Sequence, residues 1–367
     1  MEKLDVILEQ GLIRNASDIH LLVGCRPILR VAKELITLDN MNVITEENQR
    51  EFVKEFIESR DDVYEELRKE KILDLNYKFK EKRFRVNISY SMDIPTCTLR
   101  IIKDELPRFE SLNLPEAMRA LTLKNQGLIL VTGKPGAGKT TTLNALVNEI
   151  NENQNRKIMI LENPIEYVHR NKKSIVVQKE VGIFGDCKDF HLGVKNALRE
   201  DCDVLVIGEI RDKETMDATI EMAETGHLVI GTLHTNSCAE TIDRIINFYA
   251  LEEQQTIKYM IASLLRIIVS QRMIRGTFGD LVMVPEVLVV DEQIRSIIKK
   301  EKFNNIEVED AMLTGREKGN CVLVFSLAEA VTTGKITLDQ AMKEVDLKSQ
   351  ELLKKVVAQG KPRKFFS

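Results

Sequence analysis

No run in this 367-residue chain approaches the ~18 consecutive apolar residues that a membrane-spanning helix needs. Any membrane association is therefore expected to be peripheral and to run through partners. Met1 to Gln10 lacks the basic start and apolar centre of a secretory signal, which points to a cytoplasmic location. The six cysteines (Cys25, Cys97, Cys187, Cys202, Cys238, Cys321) include no C-x-x-C pair, so neither a zinc module nor a disulfide framework is indicated and reduced, buried thiols are expected. Only five histidines are present, and none has Cys or His neighbours at metal-ligand spacing. A broad basic excess is missing too. A net charge of −4 and a pI near 5.9 argue against a helicase or DNA-packaging motor and against direct nucleic-acid binding. There is no internal repeat and no low-complexity tract. What is present, 43% hydrophobic and 30% charged residues, suits two or three globular domains with ample cores.

Three regions separate by pattern. Residues 1–103 mix a short helical start, the strand-like Ile28-Leu29-Arg30-Val31, a charged helical stretch from Glu46 to Glu70 and the alternating Phe84 to Ile88, which predicts a small α+β domain. Residues 104–115 carry two prolines and alternating polar residues, the composition of a linker and hinge. From 116 to 275, apolar runs (Leu128 to Val131, Ile158 to Leu161, Ser174 to Val177, Val204 to Ile207, Leu228 to Leu233) alternate with helical segments. Strands buried on both faces look like this, so an α/β core with a largely parallel sheet is expected. Beyond Pro285 the pattern turns helical, and 276–367 is expected to be mostly helix with a basic, aromatic tail, Lys361 to Phe366.

The stretch Gly133-Lys134-Pro135-Gly136-Ala137-Gly138-Lys139-Thr140 follows the first of these strands and leads into a helical pattern. It reads as a P-loop. Glycines let backbone N–H groups close around phosphate oxygens, and the helix N-terminus adds its positive dipole end. Gly133, Gly136, Ala137, Gly138, Lys139, Thr140 and Thr141 are thus candidates for binding ATP, with Lys139 reaching the β- and γ-phosphates and the Thr140 hydroxyl on Mg²⁺. The strand Val204 to Ile207 runs into Gly208-Glu209, where a Walker B acid is expected to meet the metal or its waters; Gly208 stands where Asp is usual. The strand Ile158 to Leu161 ends in Glu162-Asn163-Pro164-Ile165-Glu166, so Glu166 or Glu162 could polarise the attacking water; an exposed charged loop is the alternative. His234 follows the strand Leu228 to Leu233, placed either to sense a γ-phosphate or simply to cap and pack.

The P-loop, the Glu162 to Glu166 box, Leu198-Arg199-Glu200-Asp201 before Gly208-Glu209-Ile210-Arg211-Asp212, and Thr225 to Thr235 follow one another as in the type II/IV secretion ATPases, a resemblance that covers most of the chain. Ala16-Ser17-Asp18-Ile19-His20-Leu21 and Gln293 to Ile298 resemble specifically the PilT branch, which retracts type IV pili. This resemblance implies a PAS-like N-terminal domain, a RecA-like ATPase core and a homohexameric bacterial motor at the inner face of the membrane, working on an inner-membrane platform protein of the pilus. It implies hydrolytic roles for Glu166, Glu209 and His234, and phosphate-directed roles for Arg85 and Arg100. A guanidinium suits that role because it is always charged and can bind phosphate oxygens bidentately. Either arginine could instead be a solvated strand residue. The two are an odd number of positions apart, so a turn near Asp93-Ile94-Pro95 is needed to bring them to one face. Arg244 is a further candidate for an intersubunit contact.

The chain departs from the family at Lys134 and Pro135, where Pro-Thr is common, and at Asn163 in place of Asp. The stretch Gly319 to Gly334 is longer and more apolar than the family's short turn, which suggests an unusual partner-facing surface. An assembly or secretion ATPase of the same superfamily is the nearest alternative, although the extra N-terminal domains and four-cysteine module common there are missing. A nucleotide-dependent scaffold without turnover is an alternative of another class.

Overall fold

The computed structural model describes residues 3–360 except 33, 59, 103, 104, 113, 183 and 184; the Lys361 to Phe366 tail lies outside the described residues. Two compact units divide the chain, Met1–Asp104 and Glu105–Ser367.

The first unit runs α1 (Leu4–Ile13), β1 (Asp18–Leu21), β2 (Ile28–Val31), β3 (Glu34–Thr37), α2 (Glu46–Ile57), α3 (Asp61–Glu70), β4 (Ile72–Phe79), β5 (Lys82–Ser91) and β6 (Ile94–Ile101). Its strands form an antiparallel sheet in the order β3-β2-β1-β6-β5-β4. Alternate residues of β4 to β6, among them Leu75, Tyr77, Phe84, Val86, Ile88 and Leu99, are buried. Period-two patterning of this kind leaves the other face free for polar side chains. Helix α2 starts on a Thr45/Asn48 capping box and buries Phe52, Phe56 and Ile57, with Phe56 edge-on to Tyr77 at 5.1 Å. Strands β5 and β6 join through Met92 and Asp93, both at positive φ, as a two-residue hairpin requires.

The second unit runs α4 (Glu116–Thr122), β7 (Gly127–Thr132), α5 (Lys139–Asn153), β8 (Lys157–Glu162), β9 (Ile175–Glu180), α6 (Phe190–Ala197), β10 (Val204–Ile207), α7 (Lys213–Glu224), β11 (Leu228–Leu233), α8 (Cys238–Ile246), α9 (Leu251–Leu264), β12 (Leu265–Arg275), β13 (Leu281–Val289), α10 (Glu292–Ile298), α11 (Asn305–Thr314), α12 (Leu323–Thr332), α13 (Leu338–Met342) and α14 (Leu347–Ala358). The sheet order is β13-β12-β7-β11-β10-β8-β9, parallel throughout except for the β12/β13 pair. The apolar runs of β7, β8, β10 and β11 each serve two cores at once, whereas the run at β9, expected to be buried on both faces, forms a half-buried edge strand. Leu128, Leu130, Leu205, Ile207 and Val229 enter the core with α6 to α11, whereas Ile129, Val131, Val204, Val206 and Ile230 pack on the α5 side. That division is why these strands read as continuous rather than alternating hydrophobic sequence.

Three expectations need correction. The sheet continues beyond residue 275, because β13 pairs antiparallel with β12 along its length. Pro285 does not break it, since an edge strand has one backbone side that needs no partner. The segment before α4 is not a bare spacer: a 3₁₀ turn covers Phe109–Ser111, and Phe109 and Leu114 are buried in the α5-side core. The apolar stretch 319–334 contains α12, whose Leu323, Val324, Leu327 and Ala328 pack inward with Ile274, Val284 and Leu353. Its hydrophobicity is core, and the unusual partner-facing surface expected there is not what these residues form.

Candidate active site

Strands β7, β8, β10 and β11 deliver the candidate residues at their carboxyl ends, where a doubly wound sheet leaves its crevice. After Thr132 the chain turns at Gly133, whose φ of 145° and position leave no room for a side chain: a Cβ would lie 2.5 Å from the Gln271 carbonyl oxygen and 2.8 Å from Ala137 Cβ. Gly136 and Gly138 adopt φ of 80° and 85°, and Gly138 caps α5. Such conformations are accessible to glycine at little cost. The first turn of α5 carries no acidic residue, so its N–H groups and dipole stay open to an anion.

Lys139 folds back over this loop. Its ammonium donates to the carbonyl oxygens of Gly133 (2.8 Å) and Lys134 (3.3 Å) and lies 3.2 Å from His234 Nδ1. Burial lowers its pKa, and the Glu209 charge opposes that shift. On its other side His234 Nε2 is 2.7 Å from Glu209 Oε1, while Arg211 lies 2.6 Å from Glu209 Oε2. With the lysine charged, Nδ1 must accept and Nε2–H must donate, which sets a neutral imidazole between the two charges. Burial alone would raise the Glu209 pKa, but Arg211 and His234 outweigh it and hold the carboxyl below its ordinary range. The Gly208 departure has a steric reason: a Cβ there would meet the Leu161 carbonyl at 3.0 Å and Glu162 Cα at 3.3 Å.

Glu162 is buried at 3% exposure and receives hydrogen bonds from Asn144 Nδ2 and Gln178 Nε2, each 3.3 Å. Desolvation pushes its pKa up to about 7, against the two amides and with help from Glu166 and Glu180. Asn144 also donates to the Thr140 carbonyl (2.9 Å), and its Oδ1 is 2.7 Å from His169 Nε2. His169 is buried neutral, its pKa lowered to about 4 by desolvation and by Lys172. Asn151 donates to the Arg170 carbonyl and accepts from Lys172 N–H, and Asn148 accepts from the Lys172 ammonium. Thr141 Oγ1 reaches Tyr167 Oη at 3.4 Å. The P-loop helix thus pins the 167–172 segment that follows Glu166, while Glu166 itself is exposed. Of the two acids in the box, the structure sets Glu162 inside the polar network and Glu166 on its outer side.

Sequence reading missed Asn144, His169, Gln178 and the pairing of Arg211. One signal was available: Asn144, Asn148 and Asn151 fall at i, i+4 and i+7, one face of α5, and all three are buried. In the first unit Arg85 and Arg100 are direct cross-strand partners. Arg100 Nε is 2.9 Å from the buried Asp18 carboxylate, and Arg85 Nε is 3.6 Å from Asp74. The turn that aligns them is Met92-Asp93, one residue earlier than expected, and Pro95 lies within β6 opposite Tyr90. Arg244 is exposed and stacks on Phe248 at 4.9 Å.

Residues 1–280 match the family model of the type II/IV secretion system proteins. The chain is 32% identical over 346 residues to the type IV pilus retraction ATPase PilT of Pseudomonas aeruginosa, covering 91% of this chain and 95% of that one. It is 31% identical over 339 residues to a twitching motility protein of Neisseria gonorrhoeae, covering 91% and 88%. A crystal structure of the pilus retraction motor PilT with bound ADP superposes with a TM-score of 0.87 at 34% identity, covering 96% of this chain and all of that one.

Proposed function

Since the chain belongs to the type II/IV secretion system protein family, we propose that it is an ATP-hydrolysing motor that retracts type IV pili. The observation that carries the chemistry is the contact series Lys139, His234, Glu209 at the mouth of the P-loop. The observation that favours retraction is near full-length similarity to proteins named for pilus retraction and twitching motility.

The loop fits a nucleotide's phosphates: a Cβ at Gly133 would fill its wall, and the following helix offers unopposed N–H groups. Lys139 would bind the β- and γ-phosphates as its links to loop carbonyls give way. Thr140 and Glu209 would hold Mg²⁺, which supplies positive charge against the phosphates. Hydrolysis adds water to the γ-phosphorus and breaks its bond to the β–γ bridging oxygen. Glu209 stays ionised through Arg211 and His234, so it can accept a hydrogen bond from the attacking water. His234 Nε2–H orients that carboxylate, and Nδ1 faces the lysine that meets the γ-phosphate. In this scheme Glu166 is the acid that aligns water from the outer side, Glu162 sets the position of its loop, and Arg85 and Arg100 act on phosphate charge in the transition state.

The working unit would be a homohexamer in the cytoplasm, coupled to an inner-membrane platform protein. Deleting the gene and imaging fluorescently labelled pili tests the direction of work. Static, over-long or over-numerous pili are expected; bald cells would assign the chain to assembly instead.

A further inference from the structure

The P-loop also borders a cavity of about 220 Å³ on its β12 side, with Lys134, Gly136 and Ala137 on the loop side and Asn236, Arg272 and Glu344 facing them. Among the described residues, three charged ones line it, and two of them satisfy each other. The Arg272 guanidinium donates to the Glu344 carbonyl, to the Glu344 carboxylate at 3.3 Å and to the Asn236 carbonyl at 3.4 Å. Lys134 is left over. Its backbone carbonyl accepts from Ala137 N–H and from the Lys139 ammonium, but its own exposed ammonium has no hydrogen-bond or ion-pair partner among the described residues. Among the described residues, Lys134 is thus the positive charge of the cavity left without a partner, and it stands beside Gly136 of the P-loop.

We propose that Lys134 is a second phosphate-binding lysine of this loop, a contact made by the nucleotide's polyphosphate tail beyond the one made by Lys139. The proposal rests on reading the loop as the ATP site. A lysine suits the position because its ammonium is a mobile point charge on a flexible stem and can follow the tail without the fixed fork of a guanidinium. The Arg272–Glu344 pair contributes by keeping the Glu344 carboxylate neutralised, so that Lys134 is not captured by it.

The test titrates full-length wild type, Lys134→Ala, Lys134→Arg and Lys139→Ala with fluorescent ATP and ADP at low and high salt, after thermal melting has shown each to be folded. Lys134→Ala is expected to bind both nucleotides about tenfold more weakly, the scale of one charge-assisted contact, with a shallower loss of affinity as salt rises. Lys134→Arg should restore most of that affinity. Wild-type affinity and salt dependence in Lys134→Ala, beside a clear loss in Lys139→Ala, would show Lys134 to be a solvated side chain and overturn the proposal while leaving the ATP site intact. Wild-type binding in Lys139→Ala as well would overturn the reading of the loop itself.

Discussion

Nε2 of His234 lies 2.7 Å from Oε1 of Glu209, and the opposite nitrogen of the same ring is 3.2 Å from the Lys139 ammonium. The ring thus ties the Glu209 carboxylate to the P-loop lysine. His234→Ala would leave Glu209 oriented by Arg211 alone. Turnover is expected to fall at least ~10-fold, within the range of groups that support acid–base steps, with ATP affinity changed only a few-fold. Steady-state hydrolysis and nucleotide titration check this; unchanged turnover would confine His234 to packing.

Among the P-loop glycines, Gly133 is the one where a methyl group should do most harm. A Cβ 2.5 Å from the Gln271 carbonyl, at a φ of 145°, forces the loop or β12 to shift. Gly133→Ala is expected to cost ~1–3 kcal/mol of stability, the scale of a strained backbone, and to abolish nucleotide binding. Melting and titration read both. An intact affinity would mean that the loop adapts without loss.

Glu162 makes stability depend on pH. Its folded pKa of about 7 lies above the ordinary 4.5, so the folded state holds a proton that the unfolded chain releases. Stability from this group is fully present below pH 4.5 and is lost as pH rises toward 7. His169, with a folded pKa of about 4, acts in the opposite sense: its contribution is lost as pH falls from 6.5 toward 4. The two partly cancel in wild type. In Glu162→Gln the stability difference from wild type should move in the variant's favour by up to ~3 kcal/mol as pH rises from 4.5 to 7, an order-of-magnitude ceiling. Denaturant melts across that range test this, and a constant difference would mean that Glu162 is ionised throughout.

Arg85 and Arg100 stand side by side on β5 and β6, each beside a carboxylate of its own unit. On the proposed role at phosphate in the transition state, each should lower turnover at least ~10-fold on replacement by Ala while ATP affinity changes little. The double variant guards against mutual substitution. Wild-type turnover in all three would move the search for a phosphate-directed arginine to Arg244.

Local rules made much of this legible. Gly133, Gly136 and Gly138 announce the loop before the helix because all three sit at positive φ, a conformation that favours glycine. Apolar runs ending in Glu162 and Gly208-Glu209 placed both acids at strand ends because parallel strands bury both faces. Hairpin parity brought Arg85 and Arg100 together. The rest depends on distant partners. Nothing near Asn144 announces that it will join Thr140, Glu162 and His169, since that network exists only once α5 packs against the 167–172 segment. Strand β13 was hidden by Pro285, which is harmless only on an edge, and α12 read as surface because its burying partners, Ile274 and Leu353, lie far away in sequence.

The central claim is that Glu209, held ionised by Arg211 and His234, directs hydrolysis of ATP bound at the Gly133 to Thr140 loop. Glu209→Gln keeps the shape of the side chain and removes its charge. Measured on purified, folded protein, ATP turnover in this variant should fall ~10²-fold or more while fluorescent ATP still binds with near wild-type affinity. Turnover close to wild type in Glu209→Gln would contradict the account.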